Sequence, residues 1–264
     1  MELNSYYLFI RRIKSKGLFS YSKKQRKISS GYLQQRWVSS GWKITDEGFF
    51  IRGLGELTNN GYVIVASQYR GNAGSEGIEE FGGKDVNDVL NLIPLASNIA
   101  QADTSRIGMF GWSRGEMMTY IALSKTKNIR AAVVLSGLPD LIKLLETRKD
   151  FDTSVYAPLI PDYTKDKTRL LQERSATFFA DKINKTTAIL ILQGTADWRV
   201  PTNLVLELVT RFYEVKQPFK FILYEGGKHA LIEHRKDYVN QMINWFNIYL
   251  RDKTPVPSLT AHGE

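Results

Sequence analysis

Between residues 61 and 251, short uninterrupted apolar runs alternate with longer stretches whose apolar residues recur at helical spacing. Val63-Ile64-Val65-Ala66 and Ile189-Leu190-Ile191-Leu192 contain no polar position, the pattern of strands covered on both faces rather than one. The runs predict strands over residues 62–68, 106–111, 130–136, 187–193 and 219–225, and helices over 86–97, 116–124, 203–215 and 237–250. In the last helix Tyr238, Val239, Met242, Trp245, Phe246, Tyr249 and Leu250 form a stripe close to 3.6 residues in period. Such alternation implies successive βαβ units, hence an α/β domain with a mostly parallel sheet between helical layers.

Two stretches break the rhythm. Residues 150–174, with Pro158 and Pro161 among scattered charges, read as an excursion at the carboxyl end of the third strand. Its Phe151, Tyr156 and Tyr163 either shape a pocket there or pack among themselves. Residues 254–264 are polar and contain prolines, and are expected to be disordered.

A chain of 264 residues with 43% hydrophobic content suits one large domain with a substantial core. The absence of cysteine excludes a disulfide framework, a thiolate metal site and a cysteine nucleophile, and fits a reducing compartment, so a cytoplasmic location is expected. No apolar run approaches bilayer length, and residues 1–16 lack the order of an export signal, so no membrane association is expected. The net charge of +9 is concentrated in residues 1–43, where ten Lys and Arg face the single acid Glu2. The remainder is balanced, with 26 residues of each sign, and gives no sign of nucleic-acid affinity. Only the basic, aromatic-containing arm could bind nucleic acid, and a solvated terminus is the simpler reading.

The most informative motif is Gly111-Trp112-Ser113-Arg114-Gly115, set between the strand-like 106–110 and the helix-like 116–123. A G-x-S-x-G turn in this context strains the serine backbone and projects its hydroxyl at the carboxyl edge of the sheet, where it can act as a nucleophile. A serine hydroxyl needs a base to take its proton, and histidine has the appropriate pKa. Of three histidines, His262 lies in the polar tail and His234 in a charged surface pattern. His229 follows a predicted strand through the loop Glu225-Gly226-Gly227-Lys228, at the same edge as Ser113. Asp197, after the strand ending at Gln193, is the candidate carboxylate to orient the imidazole, with Asp140 as its rival; either could instead serve as a helix N-cap or a loop ion pair. The order Ser, Asp, His favours Asp197.

These residues resemble the prolyl oligopeptidase-like serine peptidases, a family with the α/β-hydrolase fold. The resemblance covers about residues 44–251, through Gly61-Tyr62-Val63-Ile64-Val65, Gln68-Tyr69-Arg70-Gly71-Asn72-Ala73-Gly74-Ser75-Glu76-Gly77, Glu80-Phe81-Gly82-Gly83-Lys84-Asp85-Val86, the serine turn, Gly194-Thr195-Ala196-Asp197-Trp198-Arg199-Val200 and Glu225-Gly226-Gly227-Lys228-His229. It implies Ser113 as acylated nucleophile, His229 as base then acid, and Asp197 as its orienting partner. The family's β-propeller has no expected counterpart here, so the site would be open to ester and small amide substrates as well as peptides. No metal or organic cofactor is called for.

The glycine-rich loop 70–77 reads as a turn beside the site rather than a phosphate cradle, since it lacks a P-loop lysine. Tyr69, Arg70, Trp112 and Trp198 are candidates to line the site or to brace it. The backbone N–H of Arg114 is the expected first oxyanion donor. The second should follow an apolar, glycine-ended strand, but the corresponding place holds the polar run 32–42. In the family's strand order this element lies between the strands at 62–68 and 106–111. Residues 1–43 are therefore expected to be a diverged or frame-shifted basic segment, ahead of a hydrolase domain at 44–251 and a polar tail at 252–264.

Overall fold

The computed structural model describes residues 6–12, 53–67, 69–72 and 75–260, the first of these as backbone alone. Six strands form one sheet in the order β2-β1-β3-β4-β5-β6. They are β1 (Tyr6–Arg12), β2 (Tyr62–Val65), β3 (Ala102–Trp112), β4 (Ile129–Leu135), β5 (Ala188–Gly194) and β6 (Phe219–Tyr224). β3 to β6 are mutually parallel, in register Phe110↔Val133, Val133↔Leu190 and Leu190↔Lys220. Each crosses to the next through helical segments, as parallel pairing requires.

The continuously apolar strands divide their side chains between two cores by the two-residue period of a strand. Met109, Ala132, Val134, Ile189 and Ile191 point into one face with α2 (Val86–Leu90), α3 (Leu92–Ala96), α4 (Arg114–Lys125), α5 (Leu141–Thr147) and, after α6 (Lys167–Gln172) and α7 (Ala176–Phe179), α8 (Thr202–Glu214). Phe110, Ala131, Val133, Leu190 and Leu192 point into the other, against α1 (Leu54–Asn59) and α9 (Arg235–Phe246). On this second face Gly108 leaves room for Phe246, whose ring a Cβ would meet at 2.7 Å.

Four features differ from the sequence expectation. The place between β2 and β3 is filled by β1, antiparallel to both, with Phe9 opposite Ile64 on one side and Gly108 on the other. The apolar, β-prone run Tyr-Tyr-Leu-Phe-Ile within the basic segment supplies this strand; the polar run 32–42 lies outside the described residues. The boundary at residue 43 is thus not a boundary of the sheet. The single helix expected over 86–97 is two short ones, because Pro94 has no N–H to donate to an earlier turn. The final helix stops at Phe246 and continues as one π turn, Asn247–Arg251. Finally, part of the tail docks: Thr254 N–H donates to Ile248 C=O at 3.0 Å and Val256 packs on the second core.

The excursion after β4 is helical, and its aromatics pack inward. Tyr156 is fully buried against Phe81, Phe151 and Tyr163, at ring separations of 5.7, 5.7 and 6.1 Å. Its three aromatics build core rather than an open pocket.

Candidate active site

The turn from β3 to α4 is as tight as the motif requires. Ser113 has φ 55° and ψ −123°, a strained conformation for a residue with a side chain. A Cβ at Gly111 would overlap the Gly115 carbonyl and Thr119 Oγ1, so the crossing of strand and helix depends on that glycine. The Ser113 N–H donates to Leu135 C=O at 2.8 Å, fastening the turn to β4.

Around Ser113 three distant side chains meet in hydrogen-bonded order. Ser113 Oγ lies 2.9 Å from His229 Nε2, and His229 Nδ1 lies 2.8 Å from Asp197 Oδ2. The other carboxylate oxygen, Asp197 Oδ1, accepts from the N–H groups of Arg199 at 2.9 Å and Val200 at 3.0 Å, which orient it. Asp197 and His229 are both buried. Their two loops interlock: Ala196 N–H donates to Gly227 C=O at 2.9 Å, and a Cβ at Gly194 would overlap that same carbonyl. Loops following β3, β5 and β6 thus deliver Ser113, Asp197 and His229 to one edge.

The remaining sequence candidates fall elsewhere. Asp140 is the N-cap of α5: its Oδ1 accepts from the N–H groups of Ile142 and Lys143, both at 3.0 Å, and Oδ2 from Thr177 Oγ1. His234 lies 3.2 Å from Glu225 C=O and rests on Tyr224, whereas His262 lies outside the described residues. Trp112 is 5% exposed and braces the base, donating from Nε1 to His229 C=O at 3.0 Å, so it packs beneath the site. Trp198, at 65% exposure, faces outward between the guanidinium groups of Arg148 and Arg199. Tyr69 is buried beneath the Arg114 guanidinium, 5.0 Å from its ring centre, and burial pushes its phenol well above the usual range. Arg70 is held by Asp88, to which both its main-chain N–H and its guanidinium donate. Tyr69, Arg70 and Trp112 therefore brace.

The Arg114 N–H sits at the start of α4, where a helix leaves its first amides without intrahelical partners and the helix dipole is positive. That places it for an oxyanion beside Ser113. The polar run 32–42, which stands where a second donor would be sought, lies outside the described residues.

Two further features escaped the sequence reading. The Arg114 side chain is buried and ion-paired to Glu79 and to Asp85, the latter at 2.7 Å, while Asn72 Nδ2 donates to Glu79 at 2.6 Å. Arg174 reinforces this from the excursion, donating to the carbonyls of Phe81 and Leu170 at 2.9 and 2.8 Å. The loop carrying residues 79–85 is thereby clamped to the base of the nucleophile turn. The other feature is Glu116, fully buried in the first turn of α4, where burial raises its carboxyl to about 8. The clue available in the sequence was a charge at position 116 inside an otherwise apolar helix run, which a buried helix face accommodates only at a cost.

Among the described residues, no three His, Cys, Asp or Glu are grouped to hold a metal ion, and no helix is long and apolar enough to cross a membrane.

Comparison with known proteins places the chain in a family and a fold. The sequence model of the prolyl oligopeptidase family matches residues 52–253. Dipeptidyl peptidase family member 6 of Caenorhabditis elegans is 29% identical over 74% of this chain, but the match spans only 28% of that relative. The uncharacterized peptidase YtmA of Bacillus subtilis is 26% identical, over 72% of this chain and 74% of its own length. Among solved structures, a puromycin-hydrolyzing peptidase of Mycobacterium tuberculosis superposes with a TM-score of 0.65 at 23% identity, covering 76% of this chain and 31% of that one. The fold is that of the α/β-hydrolase peptidases.

Proposed function

The chain belongs to the prolyl oligopeptidase family and is a serine hydrolase, and on that premise we propose that it cleaves peptide or other acyl bonds through an acyl-enzyme at Ser113. The observation that carries this reading is the unbroken series Ser113–His229–Asp197, with both links at hydrogen-bond distance.

Ser113 Oγ attacks the substrate carbonyl carbon as its proton passes to His229 Nε2. The carbonyl oxygen becomes the oxyanion and accepts from the Arg114 N–H. As the tetrahedral adduct collapses, the bond to the leaving group breaks and His229 returns the proton to that group. Water then attacks the ester at Ser113 with His229 again as base, releasing the acid and restoring the hydroxyl. Asp197 keeps the Nδ1–H tautomer and stabilises the imidazolium formed in each half.

The name of one relative, a dipeptidyl peptidase family member, supports amide bonds as substrates. An esterase would use the same side chains. A screen of chromogenic esters and dipeptide amides, run beside Ser113→Ala, separates these substrates: turnover abolished by the substitution supports the reading. Binding of peptides without turnover, unaffected by the substitution, would instead indicate a catalytically silent binding module.

A further inference from the structure

Glu116 lies three residues beyond the nucleophile and is wholly withdrawn from solvent. Its Oε1 accepts from Tyr120 Oη at 2.8 Å, and Oε2 has no hydrogen-bond partner among the described residues. The side chain packs against the turn after β4 so closely that a Cβ at Gly137 would overlap it. Ser136, beside that glycine, has φ 51° and donates its N–H to Leu192 C=O at 3.0 Å; the residue after Leu192, Gln193, reaches towards Asp197 Oδ2 at 3.5 Å. Ser136 Oγ and Gln193 Oε1 are likewise buried without partners among the described residues. A contiguous polar layer therefore runs beneath the catalytic residues, from the first turn of α4, through the ends of β4 and β5, to the carboxylate that orients His229.

We infer that Glu116 is a positioning residue of this site, which supports the nucleophile turn as a neutral acid and disables it when ionised. An ionised carboxylate there is faced by the Tyr120 hydroxyl and the Gly137 amide, and among the described residues by no cation. To be hydrated it must draw water between α4 and the turn after β4, moving Ser113 away from His229. Its charge, in the first turn of α4, also opposes the positive field that an oxyanion at the Arg114 N–H needs. Of the elements packed against it, α4 contributes Tyr120, whose donated bond favours the charged form, and the loop after β5 contributes Asp197, whose charge opposes it. The turn after β4 contributes the Gly137 amide, which also favours the charged form. Burial, the largest influence, places the change near pH 8.

The inference rests on Ser113 being the nucleophile, so its test uses a reaction that reports on that residue without a known substrate. The rate of Ser113 labelling by a fluorophosphonate is measured from about pH 6 to about pH 10 for the natural protein, Glu116→Gln and Tyr120→Phe, a range that brackets the Glu116 transition. The expected result is a fall in rate centred near pH 8 for the natural protein. Glu116→Gln abolishes that fall, and Tyr120→Phe moves it to higher pH by removing a bond to the charged form. If folded Glu116→Gln keeps the same alkaline fall, or Tyr120→Phe leaves its midpoint in place, the inference is overturned while the acyl-enzyme reading stands. If the folded natural protein is not labelled at any pH, both fail. Should Glu116→Gln not fold, the Tyr120→Phe midpoint alone decides.

Discussion

Trp112 donates its indole N–H to the main-chain carbonyl of His229 at 3.0 Å, with the two rings 5.5 Å apart. The residue immediately before Ser113 therefore holds the backbone of His229. Strand β3 fixes both sides of the Ser113–His229 hydrogen bond, Ser113 through the turn and His229 through this bond. Trp112→Phe keeps an aromatic ring in the core but removes this hydrogen bond, at a cost of about 1 kcal/mol in stability. Labelling of Ser113 should slow by about ten- to a hundredfold through misplacement of the imidazole. Urea unfolding and probe kinetics on the same preparation check both numbers.

The two aspartates weighed for the third catalytic position separate cleanly by substitution. Asp197→Asn removes the charge that stabilises the imidazolium and should lower turnover by about 10⁴, while the fold persists. Asp140→Ala removes an N-cap and should cost about 1 kcal/mol of stability while Ser113 remains reactive. Comparing activity against melting temperature for the two variants checks the assignment. The opposite pattern would move the carboxylate role to Asp140.

The clamp at Arg114 predicts a large loss from a nominally mild change. Arg114→Met retains length and apolar packing against Tyr69 and Phe81 but leaves the buried Asp85 and the part-buried Glu79 without their cation. Breaking one side of a buried ionic network costs about 3–5 kcal/mol. Denaturant titration measures it. A triple change that also replaces Glu79 and Asp85 by Gln and Asn should recover much of the loss, because no buried charge is then left alone.

Stability should also fall with rising pH through one identified group. Glu116 has a folded-state pKa near 8 against an ordinary value of 4.5, so between those limits the folded chain holds a proton that the unfolded chain has released. The corresponding stability is complete below about pH 4.5 and is lost as pH rises through about 8. A difference of this size corresponds to roughly 4–5 kcal/mol across the window. Glu116→Gln should flatten the decline of stability between about pH 6 and about pH 8.5, read by unfolding at fixed ionic strength.

What the amino-acid pattern revealed, and what it concealed, follows from which forces leave a local trace. In β5 the run Ile189-Leu190-Ile191-Leu192 must be covered on both faces, so the strand and its buried place in the sheet were legible. Ser113, Asp197 and His229 were legible because each follows such a strand with small or turn-forming neighbours. Strand β1 was not: its apolar run is embedded in a segment whose charge excess dominates the reading, and pairing with β2 and β3 is a long-range event. The two tryptophans beside catalytic residues took opposite places, Trp112 inward and Trp198 outward, because a strand end and a loop present their side chains differently. Arg114, Glu79 and Asp85 carry charges that ordinarily mark a surface; only their mutual pairing, invisible locally, permits burial.

The most direct test of the central claim is to treat the folded protein with a fluorophosphonate and locate the adduct by peptide mass mapping. One adduct per chain is expected, on Ser113, formed slowly or not at all in His229→Ala and absent in Ser113→Ala. An unlabelled chain that retains its native circular dichroism, or an adduct on another residue that persists in Ser113→Ala, would contradict it.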